Sequence, residues 1–257
     1  MRDAERGATV DHRLELNSGG AAGAESAIPQ AAAWRRVLRH RLSHVWPRAA
    51  SWWVPDLWIQ LPRHVAPAGD RVAALTFDDG PTAAGTGRLL EVLARWNVPA
   101  TFFLLGENIV RFPKEARAIL DAGHAVGNHF RTHLDCWGAP RRAVVREVTE
   151  GGRIQEQVLG RIPPWCRPPY GRLTHTIVKW SRVHRQQIVL WDVFPPDSLE
   201  QTPPRTVEDM LLTRLRPRSI ACLHDNEVSQ ERTPAALNSA LPKLIDAGWR
   251  FVTLPPP

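Results

Sequence analysis

Carboxylate, imidazole and guanidinium side chains recur at four places in this chain, each close behind a short apolar run. The first is Asp78-Asp79, within Leu75-Thr76-Phe77-Asp78-Asp79-Gly80-Pro81 and after Val72-Ala73-Ala74. Two ionised carboxylates side by side repel, and a strand end tolerates the pair when a cation neutralises one of them. An Asp-Gly-Pro turn whose carboxylates cap backbone amides accounts for the segment equally well. The second place is Gly127-Asn128-His129-Phe130-Arg131-Thr132-His133. Histidines four apart face the same way on a helical turn and can share one metal ion. One aspartate and two histidines make three ligands and leave coordination positions open, the layout of a catalytic rather than a structural metal site. His124, at the turn Ala122-Gly123-His124, reads as a structural residue.

The third place is Cys166-Arg167-Pro168-Pro169-Tyr170-Gly171. Two prolines stiffen the loop and glycine permits a sharp turn. Arg167 is thereby held beside a strand end, where its planar fork suits a carboxylate. A solvated arginine on a surface loop is the plainer reading. The fourth place is Ile220-Ala221-Cys222-Leu223-His224-Asp225, where His224 follows a buried strand and is placed for proton transfer. One such histidine is more often structural; with the other three places it completes a hydrolase set.

Strand ends must be brought together for these groups to meet. From residue 71 onward strands and helices alternate. Strands are expected at 72–77, 100–105, 125–128, just before Pro168, 187–191, 219–223 and 250–254. Helices are expected at 86–96, 113–122, 140–159, 174–184, 206–215 and 234–247. The alternation argues for a parallel α/β architecture, and about seven repeats in one domain suit a barrel, whose active site lies where strands end and loops begin.

The N-terminal part differs. Residues 1–30 are polar and rich in Gly, Ala and Ser, and read as disordered. Over 31–46, Trp34, Val37, Leu38, Leu42, Val45 and Trp46 recur at helical spacing, and five of the eleven tryptophans precede residue 60. Peripheral membrane contact through residues 31–60 is one reading. An extension packed over the main domain is the other, and is favoured. The 257 residues suffice for one good-sized core plus this appendage. The formal charge of +7 is almost all arginine, since Lys114, Lys179 and Lys243 are the only lysines. The arginines are scattered, so no nucleic-acid partner is expected. Three cysteines make no disulfide framework, and free thiols are expected. No signal-peptide core follows Met1–Arg6 and no stretch has membrane-spanning length, so the default compartment is the cytoplasm, with membrane-peripheral attachment as the alternative.

Thr76-Phe77-Asp78-Asp79-Gly80, His129 to His133, Arg167-Pro168-Pro169-Tyr170 and Leu223-His224, in that order, resemble the motifs of the polysaccharide deacetylases, the NodB-homology carbohydrate esterases. Ala100–Gly106 and Ala122–His129 agree with that family, and the resemblance covers about residues 71–255. It implies a distorted (β/α) barrel, which agrees with the about seven strands read at 71–257, and it leaves unexplained the tail at 1–30 and the Trp-rich helical extension at 31–70. It implies a divalent metal, usually zinc and otherwise cobalt or another divalent ion, on Asp79, His129 and His133. Asp78 is then the base, held by Arg167, and His224 the acid. The Tyr170 amide meets the oxyanion, with Pro169, Trp191 and Asp197 on the substrate side. The implied substrate is an N-acetylated (or O-acetylated) glycan: peptidoglycan, a chitin-like oligomer or an exopolysaccharide. Two departures stand out. Phe130 replaces the usual Ser or Thr. In Trp191-Asp192-Val193-Phe194-Pro195-Pro196-Asp197-Ser198, Phe194 replaces the first Asp of Asp-x-x-Asp-Trp, the residue expected to tune His224, and Ser198 replaces the Trp. Asp192 or Asp197 is then left to substitute. Hydrolysis of another amide, or glycan binding by a weakened site, are the competing readings.

Overall fold

The computed structural model describes residues 46–67 and 69–257. The expected tail at 1–30 and the helix expected from residue 31 lie outside the described residues, apart from Trp46. The first described helix, α1, is Trp46–Trp53. The strands are β1 (Val72–Asp78), β2 (Thr101–Leu104), β3 (Ala125–Asn128), β4 (Trp165–Cys166), β5 (Gln187–Ile188), β6 (Ile220–His224) and β7 (Arg250–Phe251). The helices are α2 (Gly85–Arg95), α3 (Gly106–Arg111), α4 (Pro113–Asp121), α5 (Arg141–Leu159), α6 (His175–His184), α7 (Pro204–Arg214) and α8 (Arg232–Asp246). All pairings in the seven-stranded sheet are parallel, in the order β5-β4-β3-β2-β1-β6 with β7 beside β1. This is the expected curled α/β barrel sheet. Helix α3 was not anticipated: at six residues it is too short to show an apolar period.

The sheet is sided by its two-residue period. On β1, Ala73, Leu75 and Phe77 join the cluster formed with helices α2, α7 and α8, together with Ala221 and Leu223 of β6. Val72, Ala74, Ile220 and Cys222 face the second cluster, inside the curl. Thr76, Asp78 and His224 share the register of that inner face, and Asp78 lies directly opposite His224. Two polar side chains at neighbouring strand ends therefore point to one side.

Residues 57–66, which composition groups with the extension, are part of this structure. Trp58 N donates to Ile188 O (3.0 Å), and Leu190 N donates to Trp58 O (2.7 Å). Leu61 N donates to Arg218 O (2.8 Å), and Gln60 bridges Ser219. One segment thus touches both the β5 and the β6 side, while Leu57, Leu61 and Ala66 fill the inner core. Trp52 and Trp53, by contrast, are exposed. Among the described residues no helix is long and apolar enough to cross a membrane. Cys136, Cys166 and Cys222 are free thiols, as expected, and all three are buried.

Helix α5 holds the loop after β3. Arg131 N donates to Glu147 O (3.0 Å), Thr132 N and Oγ1 both donate to Glu147 Oε2 (2.7 and 2.9 Å), and Asn128 Nδ2 donates to Val148 O (2.9 Å). Such close approach requires a missing side chain at Gly151: a Cβ there meets the Phe130 carbonyl carbon at 2.5 Å and Asn128 Oδ1 at 2.6 Å. Gly151→Ala should therefore destabilise the fold by about 1–3 kcal/mol through overpacking, although alanine is the better helix former by about 1 kcal/mol. Urea unfolding tests the sign: a variant as stable as the native chain would mean that the loop yields without cost.

Candidate metal-dependent active site

Asp78 ends β1 with its side chain buried. Arg167, fully buried after β4, donates from Nη1 to Asp78 Oδ1 (2.6 Å) and to Thr76 Oγ1 (2.8 Å). Its Nε reaches Val189 O and its Nη2 reaches Leu190 O, each at 3.1 Å. The guanidinium also lies 4.0 Å from the centre of the Phe103 ring. This arginine is not a solvated loop residue; every arm has a fixed partner. Cys222 Sγ donates to the other oxygen, Asp78 Oδ2 (3.3 Å).

Asp79 leaves the strand in the left-handed region, at φ 77°. That turn sends its carboxylate away from Asp78's surroundings and toward the loop after β3. Asp79 Oδ1 lies 3.5 Å from His129 Nε2 and 3.3 Å from His133 Nε2. Asp79, His129 and His133 each offer a ligand atom, all within 4.8 Å of one another. The two histidines do not sit on a helical turn, as their spacing suggests. They occupy an irregular loop in which Phe130 takes φ 71°, and their ring centres lie 5.3 Å apart. Stitching to α5, rather than helical geometry, brings the rings together. Phe130 itself is buried in the inner core.

The donor set fits a divalent cation. Asp79 Oδ1 is buried yet makes no hydrogen bond, a costly state unless an ion meets it. His129 Nδ1 lies 2.7 Å from Arg167 O, so Nδ1 carries the proton and Nε2 keeps its lone pair for a ligand. Burial pushes the His133 pKa below its ordinary value, outweighing the pull of Asp79, and ligation needs this neutral form. Burial alone would raise the Asp79 pKa. Contact with His129 and the fields of His133 and His224 outweigh it and hold the carboxyl well below the usual range.

His224, opposite Asp78, has Nδ1 2.8 Å from Asp197 Oδ1, and its backbone N donates to Asp197 Oδ2 (2.7 Å). Thr233 Oγ1 donates to the same Oδ2 (2.8 Å), and Asp197 is fully buried. This corrects one expectation. Asp197 is not a substrate-side contact, because its carboxylate is spent on His224 and Thr233 and its carbonyl accepts from Arg232 Nη1 (2.6 Å). Of the two carboxylates that Phe194 leaves as substitutes, Asp197 is the one that meets the histidine. Asp192 is engaged elsewhere, by Gln60, Ser219 and the Ile220 amide. Burial lowers the His224 pKa, but Asp197, with Asp79 and Asp78 behind it, pushes it up to about 9. Phe194 stacks on Trp191 (4.8 Å) and meets His224 edge-on (5.6 Å). Trp191, proposed for the substrate side, is buried beneath Gly171 and over Arg167. Tyr170 adopts φ 58° in the turn Pro169–Gly171, with its ring edge-on to His133 at 4.3 Å. Pro169 is buried in that turn. His124 is structural, its Nδ1 accepting from Ala100 N (3.2 Å).

Several residues escaped sequence reasoning. Asn108, Asn226, Cys222, Glu147 and Asp225 all touch the site or its loops. Asp225, whose pKa burial pushes up to about 6, accepts from Thr86 Oγ1 (2.6 Å) and Thr82 Oγ1 (3.1 Å) and so ties β6 to the turn before α2. No spacing rule links residues so far apart in the chain. Of these, Cys222, Asp225 and Asn226 lie within two residues of His224, which was already singled out.

A parallel barrel sheet with a three-donor cage between a buried, arginine-held carboxylate and a carboxylate-bound histidine has the layout of a metal-dependent hydrolase. Residues 66–188 match the family described as polysaccharide deacetylase. The chain belongs to that family. It is 32% identical over 206 residues to a peptidoglycan-N-acetylglucosamine deacetylase of Bacillus cereus, an alignment covering 79% of this chain and 74% of the relative. It is 34% identical over 192 residues to a chitooligosaccharide deacetylase of Sinorhizobium fredii, covering 70% and 89%. A crystal structure of a peptidoglycan N-acetylglucosamine deacetylase, bound to an N-oxidanyl-benzamide, superposes with a TM-score of 0.74 at 31% identity, over 80% of this chain and 94% of that one.

The His224–Asp197 pair sets a pH dependence. The folded value of about 9 lies above the ordinary 6.5, so the pair stabilises the fold fully below pH 6.5 and loses that contribution as pH rises through about 9. Asp197→Asn removes the carboxylate that favours the imidazolium. The His224 ring should then lose its proton at lower pH than in the native chain, which NMR titration of the ring reads directly. An unmoved titration would deny Asp197 this role.

Proposed function

We propose that this chain hydrolyses the N-acetyl group of an N-acetylglucosamine-type residue in a glycan, with zinc held by Asp79, His129 and His133. The observation that carries the reading is the buried, unbonded Asp79 Oδ1 facing two histidine Nε2 atoms beside an arginine-held Asp78. Zinc suits a mixed imidazole and carboxylate donor set. The names of the relatives support a glycan carrying N-acetylglucosamine, peptidoglycan or a chitooligosaccharide. When bound, the cation supplies Lewis acidity toward water and toward an acyl oxygen.

The chain's own groups then divide the proton transfers. Asp78 Oδ2, 4.0 Å from His129 Nε2, accepts a proton from the attacking water. Arg167 keeps that carboxylate aimed by its grip on Oδ1. Water oxygen adds to the acyl carbon, the carbon–nitrogen bond breaks, and His224, held through Nδ1, gives a proton from Nε2 to the departing amine. Acetate and the free amine result. The Tyr170 amide, presented by its left-handed turn, is assigned to the oxyanion.

Metal-free protein reconstituted with zinc, cobalt or nickel should release acetate from one of several N-acetylated glycans. Asp78→Asn should cut that release by about 10²–10⁴-fold, the usual worth of a general base, while metal content stays at one equivalent. Acetate from no glycan would remove the proposed activity, and unchanged release by Asp78→Asn would remove Asp78 from the role of base.

A further inference from the structure

Every polar atom of Asp79 beyond its amide is tied down except the one that faces the histidines. Its carbonyl O accepts from Asn108 Nδ2 (2.7 Å), which braces the left-handed turn at φ 77°. Its Oδ2 accepts from Asn226 Nδ2 (2.9 Å). Its Oδ1 makes no hydrogen bond. Asn226 is itself fixed by its own loop. Its Oδ1 accepts from Val228 N (3.1 Å) and Ser229 N (3.0 Å), and its backbone N donates to Ser229 Oγ (3.1 Å). Ser229 Oγ in turn donates to His224 O (2.8 Å). With the amide oxygen committed to two backbone N–H groups, the amide nitrogen has to face Asp79. A flipped amide would set like dipoles against each other at both ends.

We propose that Asn226 is a positioning residue that makes Asp79 a one-oxygen metal ligand. The inference rests on the metal site described above. A carboxylate can bind a cation through one oxygen or two. By occupying Oδ2, Asn226 presents Oδ1 alone and leaves a coordination position for water or the acyl oxygen. The amide is neutral, so it orients the carboxylate without cancelling its charge. Because Asn226 sits two residues beyond His224 on a loop locked by Ser229, the same turn that ends β6 places both the proton donor and the clamp on the metal ligand.

Two variants separate this role from that of a loop brace. Asn226→Ala removes the clamp and the loop contacts together. Asn226→Asp keeps an oxygen for the Val228 and Ser229 amides but offers Asp79 Oδ2 no N–H. Zinc affinity is measured by competition with a chromogenic chelator, and the coordination number by the visible spectrum of the cobalt-loaded protein. The native chain should bind one equivalent, and both variants should bind zinc about 10–100-fold more weakly, the usual effect of losing such a partner. The cobalt spectrum of Asn226→Ala should show a higher coordination number, as Oδ2 becomes available. If Asn226→Asp binds zinc within about threefold of the native chain, or more tightly, Asn226 only braces the loop and the proposal fails. A native chain that binds no zinc sinks the metal site itself, a different result.

Discussion

A fully buried arginine holds a buried aspartate, and the rest of the site is arranged around that pair. Neither Arg167 nor Asp78 could sit in a barrel interior alone: an ion left unpaired there costs about 3–5 kcal/mol. Together they are satisfied, because Arg167 also meets Thr76 Oγ1 and the carbonyls of Val189 and Leu190. Those partners come from β1 and from the chain just beyond β5, so one guanidinium ties the two sides of the sheet across its interior. It does so while aiming Asp78 Oδ2 toward the cage that His129 borders.

Adjacent aspartates that repel in sequence are kept apart by backbone geometry. Asp78 is the last residue in extended conformation and shares the inner face with Cys222 and His224. Asp79 turns left-handed and faces the loop histidines instead. The two carboxylates thus enter different electrostatic surroundings, one beside a guanidinium and one among imidazoles. Such separation is how neighbouring groups of one chemical type come to do different work.

The supporting contacts are distributed widely. Helix α5 fixes the histidine loop through Glu147 and Gly151, the β6 loop fixes Asp79 through Asn226, and Asp197, preceding α7, fixes His224. The segment around Trp58 and Leu61 joins both sides of the curl that these loops crown. A rigid scaffold of this kind is what a site needs when its groups must stay within hydrogen-bonding reach.

The four polar motifs, each behind an apolar run, were legible as residue types at strand ends, and the strand–helix alternation was legible as a parallel barrel. These are local signals: period, punctuation and composition over a few residues. What the chain alone left open was which carboxylate serves which partner. With Phe194 in place of the usual acid, Asp192 or Asp197 was left to serve His224, and the fold sets Asp197, three residues on, against His224 Nδ1. His129 and His133 converge on Asp79 through an irregular loop, not the helical turn their spacing suggested. Asn226 acquires a role only by meeting a residue 147 positions away. Residue chemistry is written along the chain, but pairing across such separations exists only once the sheet has curled and set its strand ends side by side.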